Sequence, residues 1–419
     1  MEFSILTPLH SLYNRYIGDA YDSLVNQTHR EWEWIIIVNN GGEVPDRIRQ
    51  NPAVVVVTEP EEGNGIGRLK RLAASRATKQ VLVELDADDT LTPVALERLA
   101  EAFQDPAVAM AYSNSAQFRD GTLESPTYSE YWGWRTRPFF HNGKELNEQI
   151  AWPPSSQMMR FIFWAPNHVR AWRRSAYDLI GGHDPDIKVG DDHDLCCRTY
   201  IKYGARGLRH IDECLYLYRL HGQNSCNVYN QDVQDQTLKN YLQYSREIAN
   251  KDARDQGLRM IDLGGRINSW PGFETVDLHG ALITADLNDR WPFDDSTVGV
   301  LRASHIVEHL KDPIHTMNEA YRVLAPGGWF FIDVPSTDGR GAFQDPSHVS
   351  FWNENSIWYY TNRDYARFIP SYQGRFQNAR TVTWYPGQFE KDHNIPMVQA
   401  DLIALKPPYA DRPVGEVLI

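Results

Sequence analysis

Short, almost wholly apolar runs alternate with helical stretches along the first half of the chain. In order they are FSILTP, a helix around YIGDAYDSLVNQ, WEWIIIVNNGG, VVVVTEP, a helix in GRLKRLAASRAT, and VLVELDADD. Strands that are apolar at successive positions are buried on both faces, so this alternation predicts βαβ units in a doubly wound α/β sheet. From Tyr112 to Ile180 the period is lost and Trp, Phe, Tyr and Pro crowd together. Plain core and the wall of a pocket for a sugar or other flat polar ring are equally open readings of that stretch. Residues Asn227 to Gly257 are polar and highly charged with a sparse helical stripe, the pattern of a segment that connects domains. A second alternation follows: LRMIDLGG, FETVDLHG, VGVLRASHIVEHL, a helix through Tyr321, and GGWFFIDVP. RTVTWYP and MVQADLIALKP predict two late strands forming an antiparallel edge. The expected organisation is a domain over 1–228, a helical linker over 229–256 and a second domain over 257–419.

Composition narrows the class. A chain of 419 residues exceeds one ordinary core and points to two domains or three. Its net charge of −13 argues against broad attraction to nucleic acid or anionic membrane, since phosphate binding is driven by Lys and Arg. Nucleic acid is therefore a disfavoured partner, although a local basic cluster would override the total. The start, MEFSILTPLH, lacks a basic n-region, and no segment approaches ~20 uninterrupted apolar residues. The expectation is a cytoplasmic protein without membrane insertion. Cys196, Cys197, Cys214 and Cys226 lack zinc-ribbon spacing and read as reduced packing thiols.

The stretch VLVELDADD ends an apolar run with Asp86, Asp88 and Asp89. Crowded carboxylates repel and raise one another's pKa, so a bound cation is the readiest reason for them. Ligands of open α/β sheets bind beyond the carboxyl ends of strands, where these side chains fall. Hard oxygen ligands suit Mg²⁺ or Mn²⁺, and a substrate diphosphate would complete the coordination. An acidic turn is the plain alternative. About a hundred residues later come GGHDPDIKVGDDHDLCCRTYIKYG and LYLYRLHGQNS. This order resembles the family-2 glycosyltransferases of the GT-A fold: an opening strand ending in Thr-Pro, a nucleotide-binding strand, the LDADD strand, a G-G-[FH]-D…[ED]-D…R helix start, and a closing Y-R-x-H. The resemblance covers about residues 3–225.

That resemblance implies a set of roles. Thr7 and Pro8 would border the nucleotide, Asp86 would face its ribose or diphosphate, and Asp88 would ligate the metal. His221 matches a position where several relatives supply a further metal ligand; a surface histidine is the plain reading. Asp192 matches the second acid of the family's pair and would be the general base that deprotonates the acceptor hydroxyl, with Asp191 as its neighbour. One base opposite the leaving group means a single displacement with inversion. A helix cap is the plain reading of DDHD. Where relatives carry an acidic pair, this chain has Asn39 and Asn40, so a UDP-sugar is the default donor; Asn39 can still meet a nucleobase edge. Arg68, Lys70 and Arg71 either contact the diphosphate or form a solvated helix face.

The second half resembles class I methyltransferases that use S-adenosylmethionine, over roughly residues 258–405. MIDLGG, with Asp262, Gly264 and Gly265, matches the first-strand motif, and glycine there lets the backbone approach a cofactor. Asp277, ending FETVDL, would accept hydrogen bonds from ribose hydroxyls, and Asp286 would lie on the adenine side. The loop GGRINSWPGF departs from a full G-x-G-x-G. His305 and His309 stand at i and i+4, a helical spacing that could hold a metal, without the H-E-x-x-H order. His348 is a candidate base for a methyl acceptor or a hydrogen-bonded loop histidine.

The reading is a metal-dependent, inverting glycosyltransferase acting on a glycan, protein or small-molecule acceptor, joined to a methyltransferase-like domain that modifies the same product. The rivals are a methyltransferase with a glycan- or nucleotide-binding front module, and a glycosyltransferase with a non-catalytic rear scaffold.

Overall fold

The computed structural model describes residues 1–59, 65–122, 124–130 and 133–407, with the backbone alone at 225 and 226. The chain divides into two compact units: Met1–Ser129 with Trp134–Ile248, and Glu130–Gly133 with Ala249–Ile419.

The first unit is built on a ten-stranded sheet. Its strands are β1 (Phe3–Leu9), β2 (Trp32–Val38), β3 (Val54–Thr58), β4 (Val81–Glu84), β5 (Thr90–Leu91), β6 (Met110–Arg119), β7 (Arg135–His141), β8 (Lys144–Ile150), β9 (Arg170–Arg173) and β10 (Leu208–Leu220). The order is β3-β2-β1-β4-β9-β6-β10-β5, with β7 and β8 branching from β6. Strands β3, β2, β1 and β4 run parallel, whereas β9 lies antiparallel to both β4 and β6. Residue alternation explains the double layer. Phe3, Ile5, Trp34, Ile36, Val81 and Val83 join one core, while Leu6, Ile35, Ile37 and Leu82 join the other. The helix Ile66–Arg76 packs Leu69 and Ala73 into that second core, and Leu195 and Tyr200 of the helix Asp191–Tyr203 enter it too.

The aromatic middle is mostly core: Tyr112, Trp134, Trp164 and Trp172 are all buried. Cys196, Cys197 and Cys214 are buried free thiols, and burial pushes their pKa values up; the Cys226 side chain lies outside the described residues. The polar stretch after Asn227 forms one helix, Asn230–Asp255, whose Tyr241 and Ile248 are buried. It passes from the first unit into the second, so it is an integral part of both.

The second unit has a seven-stranded sheet ordered β13-β12-β11-β14-β15-β17-β16. The strands are β11 (Arg259–Leu263), β12 (Glu274–Asp277), β13 (Ile283–Thr284), β14 (Val298–Ser304), β15 (Leu324–Pro335), β16 (Phe376–Trp384) and β17 (Met397–Ala404). β17 pairs antiparallel with both β15 and β16, which is the late antiparallel edge expected from the sequence. The segment HIVEH is not an α-helix. His305 adopts a left-handed φ of 54°, and only Val307–His309 form a short 3-10 turn, so the i, i+4 geometry expected of His305 and His309 does not exist. Among the described residues no helix is long and apolar enough to cross a membrane.

Candidate active site

At the carboxyl ends of β1, β2 and β4 the first unit opens a cavity of about 910 Å³, a size suited to a nucleotide-sized ligand. Its walls include Pro8, Asn39, Lys70, Asp86, Asp88, Asp191 and Asp192, which the sequence scatters over nearly two hundred positions. Tyr13, Tyr218 and Tyr229 supply aromatic wall in place of the tryptophans of the middle segment.

The three aspartates after β4 have separate jobs. Asp89 is buried, accepts the Tyr216 hydroxyl at 2.8 Å and the Arg219 amide at 2.7 Å, and so ties this loop to β10. Burial, with Asp88 and Asp86 beside it, pushes its pKa well up. Asp86 is raised to about 6, chiefly by burial, against the pull of Lys70 and with a further push from Asp88. Asp88 Oδ2 lies 2.8 Å from His221 Nε2. His221 Nδ1 accepts the Gln223 amide at 3.1 Å, so Nε2 carries the proton and donates it to Asp88 Oδ2. Neighbouring ligands of an octahedral ion with bonds near 2.1 Å sit about 3 Å apart, which the Asp88–His221 pair nearly satisfies. Tyr16 stacks on His221 at 5.1 Å, and Arg219 is pinned by Asp19 at 2.6 Å and Asp120 at 3.2 Å. The Y-R-L-H segment is thereby held against Asp88.

The acidic tetrad DDHD divides by helical position. Gly190, at φ 73°, is the N-cap of the helix Asp191–Tyr203, and within the first turn Asp192 Oδ1 accepts the His193 amide at 2.8 Å, so one member of DDHD does satisfy a helix-end donor. Asp191 and Asp192 line the cavity. His193 instead donates to the Met159 carbonyl at 2.8 Å, and Asp194 pairs with Arg198 and accepts the Tyr244 hydroxyl at 2.7 Å. Burial tends to raise Asp192, but the Arg170 guanidinium 2.6 Å away holds its carboxyl below the usual range. Asp191 is raised by burial; its Oδ2 has no hydrogen-bond partner and lies 3.5 Å from His183 Nε2.

Beneath the floor sits a group the motifs do not single out. Glu84, fully buried in β4, meets Lys70 Nζ at 3.1 Å, Arg170 Nε at 2.9 Å and His183 Nε2 at 2.8 Å. Burial opposes its charge, yet Lys70 and Arg170, with the His183 hydrogen bond, hold its pKa well below the ordinary value. Arg170 reaches on to Asp192 and donates to His168 Nε2 at 2.8 Å. Guanidinium can only donate, so His168 is neutral with its proton on Nδ1, and burial beside Arg170 drives its pKa down to about 3. One signal in the sequence pointed here: a charged residue inside the wholly apolar run VLVEL demands a buried cation.

Other expectations need correction. Thr7 does not line the cavity; its buried hydroxyl donates to the Leu85 carbonyl at 2.6 Å and accepts Trp34 Nε1 at 2.8 Å. Arg68 is likewise outside the walls, 3.6 Å from Glu59. Lys70 is not a solvated face: it is buried, meets Glu84 at 3.1 Å and lies in the cavity wall.

In the second unit Gly264 turns at φ 70° and its amide donates to the Val276 carbonyl at 2.7 Å, while Asp277 closes β12 beside it. Asp262, in contrast, is fully buried and bound by Arg302 at 2.7 and 2.9 Å, which removes it from contact with a cofactor. A Cβ at Gly265 would stand 2.7 Å from that same carboxyl group, so this glycine is required by the protein's own packing. Asp286 is exposed and engages Asn288 at 2.9 Å.

The first unit thus sets an acid-rimmed cavity on a mixed α/β sheet, and the second unit is an α/β sheet of different strand order. Residues 4–165 match the family model described as Glycosyl transferase family 2, and residues 220–332 match that described as Methyltransferase domain. The chain carries a family-2 glycosyltransferase domain fused to a class I methyltransferase-like domain. It is 27% identical to a chondroitin synthase of Pasteurella multocida over 240 residues, covering 55% of this chain and 22% of that one. A hyaluronan synthase of the same species is 27% identical over 231 residues, covering 53% and 21%. An uncharacterized glycosyltransferase of Nostoc sp. is 24% identical over 234 residues, covering 54% and 66%. The chain thus spans only about a fifth of the two synthases' length.

Proposed function

We propose that the first unit transfers a sugar from a nucleoside diphosphate donor to an acceptor hydroxyl with inversion, using Mn²⁺ or Mg²⁺ held by Asp88 and His221. The observation that carries this reading is the convergence of Asp86, Asp88, Asp191 and Asp192 on one cavity. Asn39 and Pro8 would meet the nucleoside, and Asp86 the ribose or diphosphate. A cation at Asp88 would supply charge neutralisation for the departing diphosphate. Asp192 is the base: its side chain is more exposed to the cavity than that of Asp191, 19% against 4%. Lys70 and Arg170 position carboxylates and do not clasp the donor. A UDP-sugar is the first donor to test, and a glycan, protein or small molecule is the acceptor class.

In the second unit Gly264, Gly265 and Asp277 would hold S-adenosylmethionine, whose sulfonium supplies a methyl group. We assign this domain to modification of the glycosylated product, because a covalent link raises the effective concentration of successive sites.

The experiment is nucleotide binding and transfer with and without Mn²⁺. Asp192→Asn should keep nucleotide affinity and lose transfer by about 10²–10⁴-fold, the usual contribution of a general base. Asp88→Ala should weaken Mn²⁺-dependent nucleotide binding by about ten- to a hundredfold. Equal affinity in Asp88→Ala and the natural protein would refute the metal assignment. For the second unit, a product that never gains a methyl group when both substrates are supplied would refute the coupling.

A further inference from the structure

A separate cluster of metal-ligating side chains stands in the second unit, where the first-strand motif and its cofactor do not account for it. One ligand atom from each of Glu308, His309 and His348 falls within 4.8 Å of the other two. We propose that these residues form a binding site for a divalent transition metal, with Zn²⁺ or Mn²⁺ the fitting ions.

The carboxylate makes the first argument. Glu308 is 2% exposed, and neither of its oxygens has a hydrogen-bond partner. Its nearest basic groups are His305 Nδ1 at 3.5 Å, a long contact through which Glu308 pushes the His305 pKa up, and His348 Nε2 at 4.0 Å. A carboxylate removed from water with no closer donor than these is disfavoured unless a cation joins it.

The histidines make the second, independently. His348 Nδ1 lies 2.9 Å from the Ala342 carbonyl, which can only accept, so Nδ1 carries the proton and Nε2 the lone pair. His309 Nδ1 lies 3.2 Å from the Ser347 carbonyl and is assigned the same tautomer by the same argument. A metal-ligating imidazole commonly anchors its other nitrogen to a backbone carbonyl in this way, which fixes the ring and raises its basicity. The rings stand 4.9 Å apart at 70°, an arrangement in which two nitrogens can converge without stacking.

The backbone makes the site rigid. The Glu308 carbonyl accepts the amides of Val349 at 2.8 Å and Ser350 at 3.0 Å, and the Ser350 hydroxyl donates to the Val307 carbonyl at 2.8 Å. The loop bearing His348 is therefore stapled to the turn bearing Glu308 and His309. Asp345 Oδ2, 3.8 Å from His348 Nε2 and half exposed, offers an oxygen at the rim. Two imidazoles and a carboxylate suit Zn²⁺, Mn²⁺ or Fe²⁺ better than Ca²⁺, and leave positions for water or hydroxyl oxygens of a substrate. The turn follows β14, at the carboxyl edge of the sheet, and Ile306 packs against Gly264. The open positions consequently face the same edge as the first-strand glycines.

The test must separate this ion from one held by Asp88 and His221. Full-length protein stripped with a chelator is dialysed to equilibrium against Zn²⁺ in four forms: natural, Asp88→Ala with His221→Ala, His309→Ala with His348→Ala, and all four together. The first double variant should retain one tightly bound Zn²⁺ per chain, and the quadruple variant should bind it about a hundredfold more weakly or not at all. Glu308→Gln, nearly isosteric, repeats the loss should the histidine variants fail to fold by circular dichroism. The same Zn²⁺ affinity with and without His309, His348 and the Glu308 charge overturns the proposal.

Discussion

The two units use acidic residues in opposite ways. In the first, Asp86, Asp88, Asp191 and Asp192 line one cavity over a buried lattice of Glu84, Lys70, Arg170 and His183. In the second, the acids picked out by motif are dispersed: Asp262 is locked to Arg302, Asp286 faces solvent, and Asp277 stands at a strand end. The lesson is that a motif transfers a position in the fold more reliably than it transfers the availability of a side chain. An acid at a strand's carboxyl end serves a ligand only when no internal cation claims it first.

This contrast is broken most forcefully at Glu84. Glu84→Ala leaves Lys70 and Arg170 short of a buried counter-charge and should cost about 3–5 kcal/mol, read as a shift in denaturant midpoint. A neutral outcome would mean that the lattice is not what supports the cavity. Next in size is Asp262→Ala, which strands Arg302 and should cost about 2 kcal/mol by the same measurement. Asp277→Ala, its counterpart, should leave the midpoint unchanged and weaken S-adenosylmethionine in calorimetry. If the two results exchange places, the roles of these aspartates are reversed.

The smallest effect is a pH dependence. Burial pushes the Asp86 carboxyl up to about 6 in the folded protein, from its ordinary 3.8. A raised acid favours folding in its protonated form, so that contribution is complete below pH 3.8 and is lost as pH rises through about 6. A divalent ion favours the ionised form, so Mn²⁺-dependent nucleotide affinity should rise over the same interval. Asp86→Asn should flatten both profiles, and an unaltered inflection would assign the titration to another group.

Much of this architecture was legible because it follows from periodicity. The apolar strands β1, β2 and β4 announce burial on both faces, and the Asp86–Asp88 and Asp191–Asp192 pairs were placed by order along the chain. What could not be read were partners made by distant segments. Thr7 is consumed by Trp34 and Leu85, and Arg170, in an aromatic stretch without period, becomes the link between Glu84 and Asp192. HIVEH misled because its spacing was helical, while His305 breaks the helix with a left-handed φ. The ring that His309 does meet, that of His348 at 4.9 Å, lies some forty residues further on.

The interlocked charges under the cavity also constrain how this sequence can drift. Each member is tolerable only in the company of the rest, so single replacements at Glu84, Lys70 or Arg170 are penalised while a concerted exchange for apolar residues of similar volume need not be. Divergent copies should therefore keep the whole set or abandon it wholesale, and a chain that has abandoned it will have surrendered the grip on Asp192 as well.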